Sequence, residues 1–167
     1  MSSIEESRGR AVVVKPGENP SYWQPVPANG HADPMLTPDL TAFRGFSLGF
    51  QTVGVGGHVR EHAHGDQIEI QVCFRGKGHV VLDDVRHDVV PGTAVFLGPD
   101  VRHKIVNDGD DELVMLWVIT SAGLEDFFKA IGRPRFEGDA RPTPFARPTD
   151  VSAVERAMGI EASRKVN

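Results

Sequence analysis

Gly56-Gly57-His58-Val59-Arg60-Glu61-His62-Ala63-His64-Gly65-Asp66-Gln67-Ile68-Glu69 sets two histidines two residues apart, then a Gly65-Asp66 turn, then a carboxylate. In an extended strand, side chains at i and i+2 share a face, so His62 and His64 can converge on one ion. Glu69 opens the alternating run Glu69-Ile70-Gln71-Val72-Cys73, in which Glu69, Gln71 and Cys73 share a face. If Glu69 meets the ion, Gln71 and Cys73 also face the interior. Farther along, Gly98-Pro99-Asp100-Val101-Arg102-His103-Lys104-Ile105-Val106-Asn107 carries a third histidine, His103, between two runs that read as strands. Three imidazoles and a carboxylate suit a divalent iron, nickel, copper, zinc or manganese ion, and leave positions open for water, substrate or dioxygen.

Outward from this stretch, residues 46–120 read as short strands separated by glycine, proline and aspartate turns, with no helical period. Residues 78–91 predict a hairpin turning at Asp83-Asp84. Residues 112–120 form the longest apolar strand, with Met115, Trp117 and Ile119 on one face, suited to core or pocket wall. Before the strands, Pro16, Pro20, Pro25, Pro27, Pro34 and Pro38 deny helix and favour an extended arm, on which Tyr22 and Trp23 need a packing partner. After them, residues 124–131 show apolar residues at helical spacing with acidic residues in the first turn, and Gly132 and Pro134 as stops. A Pro- and Arg-rich connector follows, then a second expected helix over 150–163 with Ser152-x-x-Glu155 as its capping box. The chain is therefore read as all-β, a small antiparallel barrel over 40–122 with an N-terminal arm over 1–39 and a helical C-terminal extension over 123–167.

The two histidine-bearing stretches resemble the paired signature motifs of the cupin superfamily. The first, G-x5-H-x-H-x4-E-x6-G, is filled by Gly56, His62, His64, Glu69 and Gly76 with every gap intact. The second, G-x5-P-x-G-x2-H-x3-N, keeps Gly92, His103 and Asn107, while Gly98 replaces the usual proline and Asp100 the usual glycine. Both departures fall in a turn that Asp tolerates. The resemblance implies a double-stranded β-helix, or jelly-roll barrel, holding one divalent transition metal, Fe2+ foremost, on His62, His64, Glu69 and His103. It also implies a small mononuclear metal-dependent enzyme, similar to quercetinase-like members: an iron(II) dioxygenase for an enolic, diketone or phenolic substrate. Glu69 is then the catalytic candidate, and Arg60, Gln71 and Trp117 are the candidate substrate contacts. A redox-neutral lyase, isomerase or decarboxylase, or a non-enzymatic small-molecule-binding barrel, are the alternatives. By analogy a homodimer is expected.

Composition narrows the partners. The net charge of −5 offers no basic stripe for a polyanion, which argues against nucleic acid. No segment has the length and apolarity of a signal peptide or membrane span, so a cytoplasmic protein is expected. Cys73 is the only cysteine, so an intrachain disulfide and a thiolate-rich cluster are excluded, and the residue reads as small and buried. His58 and Arg60 share the parity of the ligands but follow Gly56-Gly57, where a bulge or early turn would redirect them. His31, His79 and His87 fall in loop or hairpin contexts that predict solvent exposure. Asn107 is read as bracing a strand end.

Overall fold

The computed structural model describes residues 9–151, 155–156 and 160–162. Among the described residues these elements follow in chain order: β1 (Ser21–Trp23), β2 (His31–Leu36), α1 (Pro38–Thr41), β3 (Ser47–Val53), β4 (His58–His64), β5 (Ile68–Arg75), β6 (Gly78–Leu82), β7 (Val85–Val89), β8 (Ala94–Leu97), β9 (His103–Val106), β10 (Leu113–Thr120), α2 (Leu124–Ile131), β11 (Arg133–Arg135) and β12 (Ile160–Ala162). They form two antiparallel sheets, one ordered β11-β1-β2-β3-β10-β5-β8 and the other β12-β4-β9-β6-β7. The sheets face each other as a jelly-roll barrel, as the alternation of apolar and polar residues requires. Val53, Cys73, Val80, Leu97, Ile105, Leu113 and Met115 fill the space between them.

Turn chemistry accounts for the connections. Asp83 and Asp84 adopt φ of 44° and 70°, the left-handed pair that a two-residue hairpin turn between β6 and β7 needs. Asp100, standing where the motif has glycine, has φ of 62°, and its amide donates to the His64 carbonyl at 2.8 Å. Aspartate is among the residues that accept this backbone region, so the departure leaves the loop shape intact. Asn107 braces the strand end as expected: its amide donates to the carbonyls of Val53 and Asp111 at 2.8 and 2.9 Å.

Helix α2 buries Leu124, Phe128 and Ile131, spaced i, i+4, i+7 on one face. That face packs on Ala32, Trp117 and Ile119, with Tyr22 and Phe127 alongside. Burial of each such side chain contributes about 1.5–3 kcal/mol. Trp117 and Ile119 have the same parity as Met115, so α2 covers an extension of the large sheet's inner face. The arm is extended, and its residues from Ser21 to Leu36 supply β1 and β2 beside β3. Tyr22 and Trp23 thus pack within their own chain, Trp23 edge-on to His31 and beneath Arg135.

Three expectations are corrected. His79 is 9% exposed, and its Nδ1 lies 2.9 Å from Asp108 Oδ2, because β6 is an interior strand of its sheet. His31 is half-buried beside Trp23, between Thr52 and Asp33. The second helix is realised at Glu155 and Arg156, but Ile160–Ala162 is a strand pairing with β4, since an edge with free backbone groups satisfies this segment better than a free helix end. Ser152 of the capping box lies outside the described residues. No helix among the described residues is long and apolar enough to cross a membrane.

Candidate metal centre

Four side chains from both sheets meet inside the barrel. His62 and His64 come from β4, His103 lies directly opposite His62 on β9, and Glu69 reaches across from β5 of the large sheet. Ring centroids of His62 and His103 are 4.1 Å apart, those of His62 and His64 5.1 Å. Glu69 Oε2 lies 3.2 Å from His64 Nε2 and 3.3 Å from His103 Nε2. One ligand atom from each of the four falls within 4.8 Å of the others, close to the spans that metal bonds of about 2.0–2.2 Å allow. The cluster could hold a metal ion.

The hydrogen bonding fits that use. His62 Nδ1 is 2.8 Å from the Arg60 carbonyl and His103 Nδ1 is 3.0 Å from the Val101 carbonyl. A carbonyl only accepts, so each Nδ1 carries the proton and each Nε2 presents its lone pair to the cluster. His64 Nε2, His103 Nε2 and Glu69 Oε2 are buried without a hydrogen-bond partner, and so is His64 Nδ1. Orphaned buried atoms of this kind are costly unless an ion satisfies them. Loss of water around the ring, with His103 and His64 as like-charged neighbours, pushes His62 down to about 3, so it stays a neutral donor. Burial alone would raise Glu69, but its contacts with His103 and His64 outweigh that and hold the carboxyl well below the usual range. Burial opposes protonation of His103 as well, and the Glu69 carboxylate outweighs it, raising the imidazole. Gln71 Nε2 donates to Glu69 Oε1 at 3.0 Å and leaves Oε2 facing the imidazoles.

A cavity of about 330 Å³ opens onto His62 and Glu69. Its walls are largely apolar, from Pro25 to Ala28 of the arm, Val59 and Ile105 of the barrel, and Leu124, Phe127, Phe128 and Ile131 of α2. Gln71 and Arg60 line it as well; the register between β4 and β9 shifts between Val59 and His62, a bulge that brings consecutive residues of β4 to the cavity. Trp117 is 2% exposed in the apolar cluster under α2 and does not line the cavity. Neither do Phe46, Phe50 or Phe96. Sequence reasoning missed α2 as a cavity wall, and Arg147 and Glu155 at its rim. The apolar face of α2 was readable, but not the opening it would cover.

The model for the cupin domain matches residues 49–119. Protein SchB of Streptomyces halstedii is 33% identical over 91 residues, covering 52% of this chain and 66% of that protein. Glucose-6-phosphate isomerase of Pyrococcus furiosus is 31% identical over 71 residues, covering 40% of this chain and 38% of the isomerase. The chain thus spans less than the whole of either relative. A predicted oxalate decarboxylase of Thermotoga maritima superposes with a TM-score of 0.59 at 20% identity, covering 66% of this chain and 99% of that one. A sugar phosphate isomerase of Silicibacter pomeroyi superposes with 0.51 at 21% identity, covering 63% and 71%. At such identities the superpositions speak for the fold alone. With barrel, ligand spacing and domain model agreeing over the same residues, residues 49–119 form a cupin domain.

Proposed function

We propose that the protein is a mononuclear iron(II) dioxygenase acting on a small enolic, diketone or phenolic substrate. The observation that carries this reading is the character of the cavity: mostly apolar walls leading to a metal-binding cluster, with few groups to shuttle protons. Among its described lining residues, Glu69 belongs to the cluster, Glu155 is paired with Arg60 and Arg147, and Glu61 faces Arg102 at 3.8 Å. Tyr22, the only tyrosine, packs beside α2 rather than on the cavity. Such walls suit a flat, weakly polar substrate better than a polyhydroxylated sugar chain, whose hydroxyls need many partners.

Iron(II) held by His62, His64, Glu69 and His103 would supply a Lewis acid for an enolate oxygen pair and an electron source for dioxygen. The chain's own part is positional. The Arg60 and Val101 carbonyls stop the His62 and His103 rings from turning, and Gln71 fixes the Glu69 carboxylate. Phe127, Phe128, Ile131 and the Pro25–Ala28 wall keep bulk water from a carbanionic or enolate substrate.

His58 favours a second reading. It lines the cavity, and burial, with Lys104 nearby, lowers its pKa, so it is a neutral base at pH 7. A redox-neutral isomerase or lyase would use it. Oxygen uptake after anaerobic iron(II) loading, against diketones and phenolic acids, separates the two. Substrate-dependent uptake that survives His58→Gln supports the dioxygenase; turnover without oxygen that His58→Gln abolishes replaces it with the second reading.

We further infer that two copies pair through the outer face of the large sheet. Register and alternation place two cross-strand rows there, Phe50, Leu116, Val72 and Ala94, then Leu48, Val118, Ile70 and Phe96. Phe74 packs edge-on against Phe50 with ring centroids 5.1 Å apart, and Phe74 and Phe96 are 62% and 67% exposed. An apolar face of two cross-strand rows exceeds scattered surface apolarity and suits the core of an isologous interface of roughly 800 Å² per partner.

A further inference from the structure

We propose that Arg60 and Arg147 form a carboxylate-binding subsite at the cavity rim, occupied by Glu155 of the same chain until an anionic substrate replaces it, so that the substrate is an organic acid. This deepens the dioxygenase reading and rests on it for the reaction, though not for the binding. Both arginines and Glu155 line the cavity. Arg60 Nη2 donates to Glu155 Oε1 at 3.3 Å, and Arg147 Nη2 donates to the same oxygen. The Arg147 guanidinium lies over the Phe127 ring, 5.0 Å from its centroid, which fixes the fork against the apolar wall. Its side chain is 18% exposed and that of Glu155 23%, so the pair is shielded, whereas Arg60 is 51% exposed.

Two guanidinium groups facing one carboxylate leave this group of three with one net positive charge at the arginine end of the cavity. Each guanidinium has five N–H donors in a planar fork, a shape that matches a carboxylate's two oxygens. Glu155 marks where such a group sits: it already occupies the arginines as a substrate acid would, in the same cavity that opens onto His62 and Glu69. Exchange of one carboxylate for another preserves charge and hydrogen bonds at the rim, so it is inexpensive for the fold. A ligand that spans the cavity would then carry its acid at the arginine end, an apolar middle against Phe127, and an oxygen-bearing head at His62 and Glu69.

Calorimetric titration of the purified protein with benzoate tests this, with benzamide as the neutral counterpart and inorganic phosphate as the rival anion. Arg147→Met and Arg60→Met should each weaken benzoate about tenfold, the lower end for a hydrogen bond to a charged group. Glu155→Gln should tighten benzoate by a similar factor, because the competing carboxylate is gone, and benzamide should respond to none of the three. A merely structural Glu155 would instead give equal or weaker benzoate binding in Glu155→Gln, which overturns the proposal. So does equal benzoate affinity in wild type and the arginine variants, with His103→Ala abolishing it, because the metal alone then holds the acid. Phosphate binding more tightly than benzoate through the same arginines overturns the carboxylate assignment. If Arg147→Met fails to fold, the exposed Arg60→Met carries the comparison. None of these readouts involves oxygen, so a failed uptake assay beside a positive titration removes the dioxygenase and leaves the subsite.

Discussion

Replacing Gln71 by methionine removes one hydrogen bond and tests the ligand set through it. Gln71 and Glu69 are 3% and 4% exposed, and the bond between them is 3.0 Å long. It holds Glu69 Oε1, so that Oε2 is the oxygen turned toward His64 and His103. A hydrogen bond to a charged group contributes about 1.5–3 kcal/mol. Expressed as an equilibrium constant, that is roughly tenfold to hundredfold, the same range that loss of a partner behind a metal ligand usually costs. Gln71→Met should therefore weaken metal binding by about 10–100-fold while keeping the fold, since methionine matches the length and tolerates the buried site. Competition for zinc and for iron(II) against a chromogenic chelator measures the affinity, with near-ultraviolet circular dichroism as the check on packing. An unchanged affinity in the folded variant refutes the orientation argument, and an equally silent Glu69→Gln would reduce the ligands to the three histidines.

His62→Ala and His103→Ala should each lose most bound metal by mass spectrometry, while His87→Ala, on the exposed hairpin strand β7, should keep it; equal retention in all three would overturn the assignment. Phe96→Glu puts a charge in the outer apolar row, and light scattering should then read the mass of one chain where the wild type reads two; a wild-type monomer ends the pairing proposal. Burial would raise the Asp33 carboxyl, but hydrogen bonds with His31 and Ser21, aided by Arg135, outweigh it and lower its pKa from the ordinary 3.8. A lowered folded pKa gives stability that is present above the unfolded value and lost as pH falls through the folded one. Asp33→Asn should thus lower the melting temperature at pH 7, by roughly 2–10 °C for a loss of about 1–3 kcal/mol, with the gap closing at acid pH. A gap that persists at pH 2 would mean that the charge is not the cause.

Particular residues show how far reading the chain could go. Helix α2 begins and ends where its apolar spacing, first-turn acids and Gly132 placed it. The hairpin turns at Asp83-Asp84, and Glu69, Gln71 and Cys73 face inward together. All of these depend on backbone preferences or side-chain parity within a few residues. His79 and His31 were misjudged because their surroundings are supplied by distant segments, Asp108 for one and Trp23 with Thr52 for the other. Trp117 had the right face for the interior, but α2 sits between that part of the interior and the cavity.

By itself the sequence determined the candidate ligand types, their spacing and the faces they share, because a period of two along a strand is a local property and the motif records it. It also determined that the chain alternates enough to close a barrel. Only the tertiary structure decided that β9 lies against β4 with His103 opposite His62, and that Glu69 comes across from the other sheet. It alone decided that the arm and α2 wall the cavity and that Glu155 reaches Arg60 across 95 positions of chain. Register and cross-sheet packing follow from the summed burial of the whole core, and no short stretch of residues contains that sum.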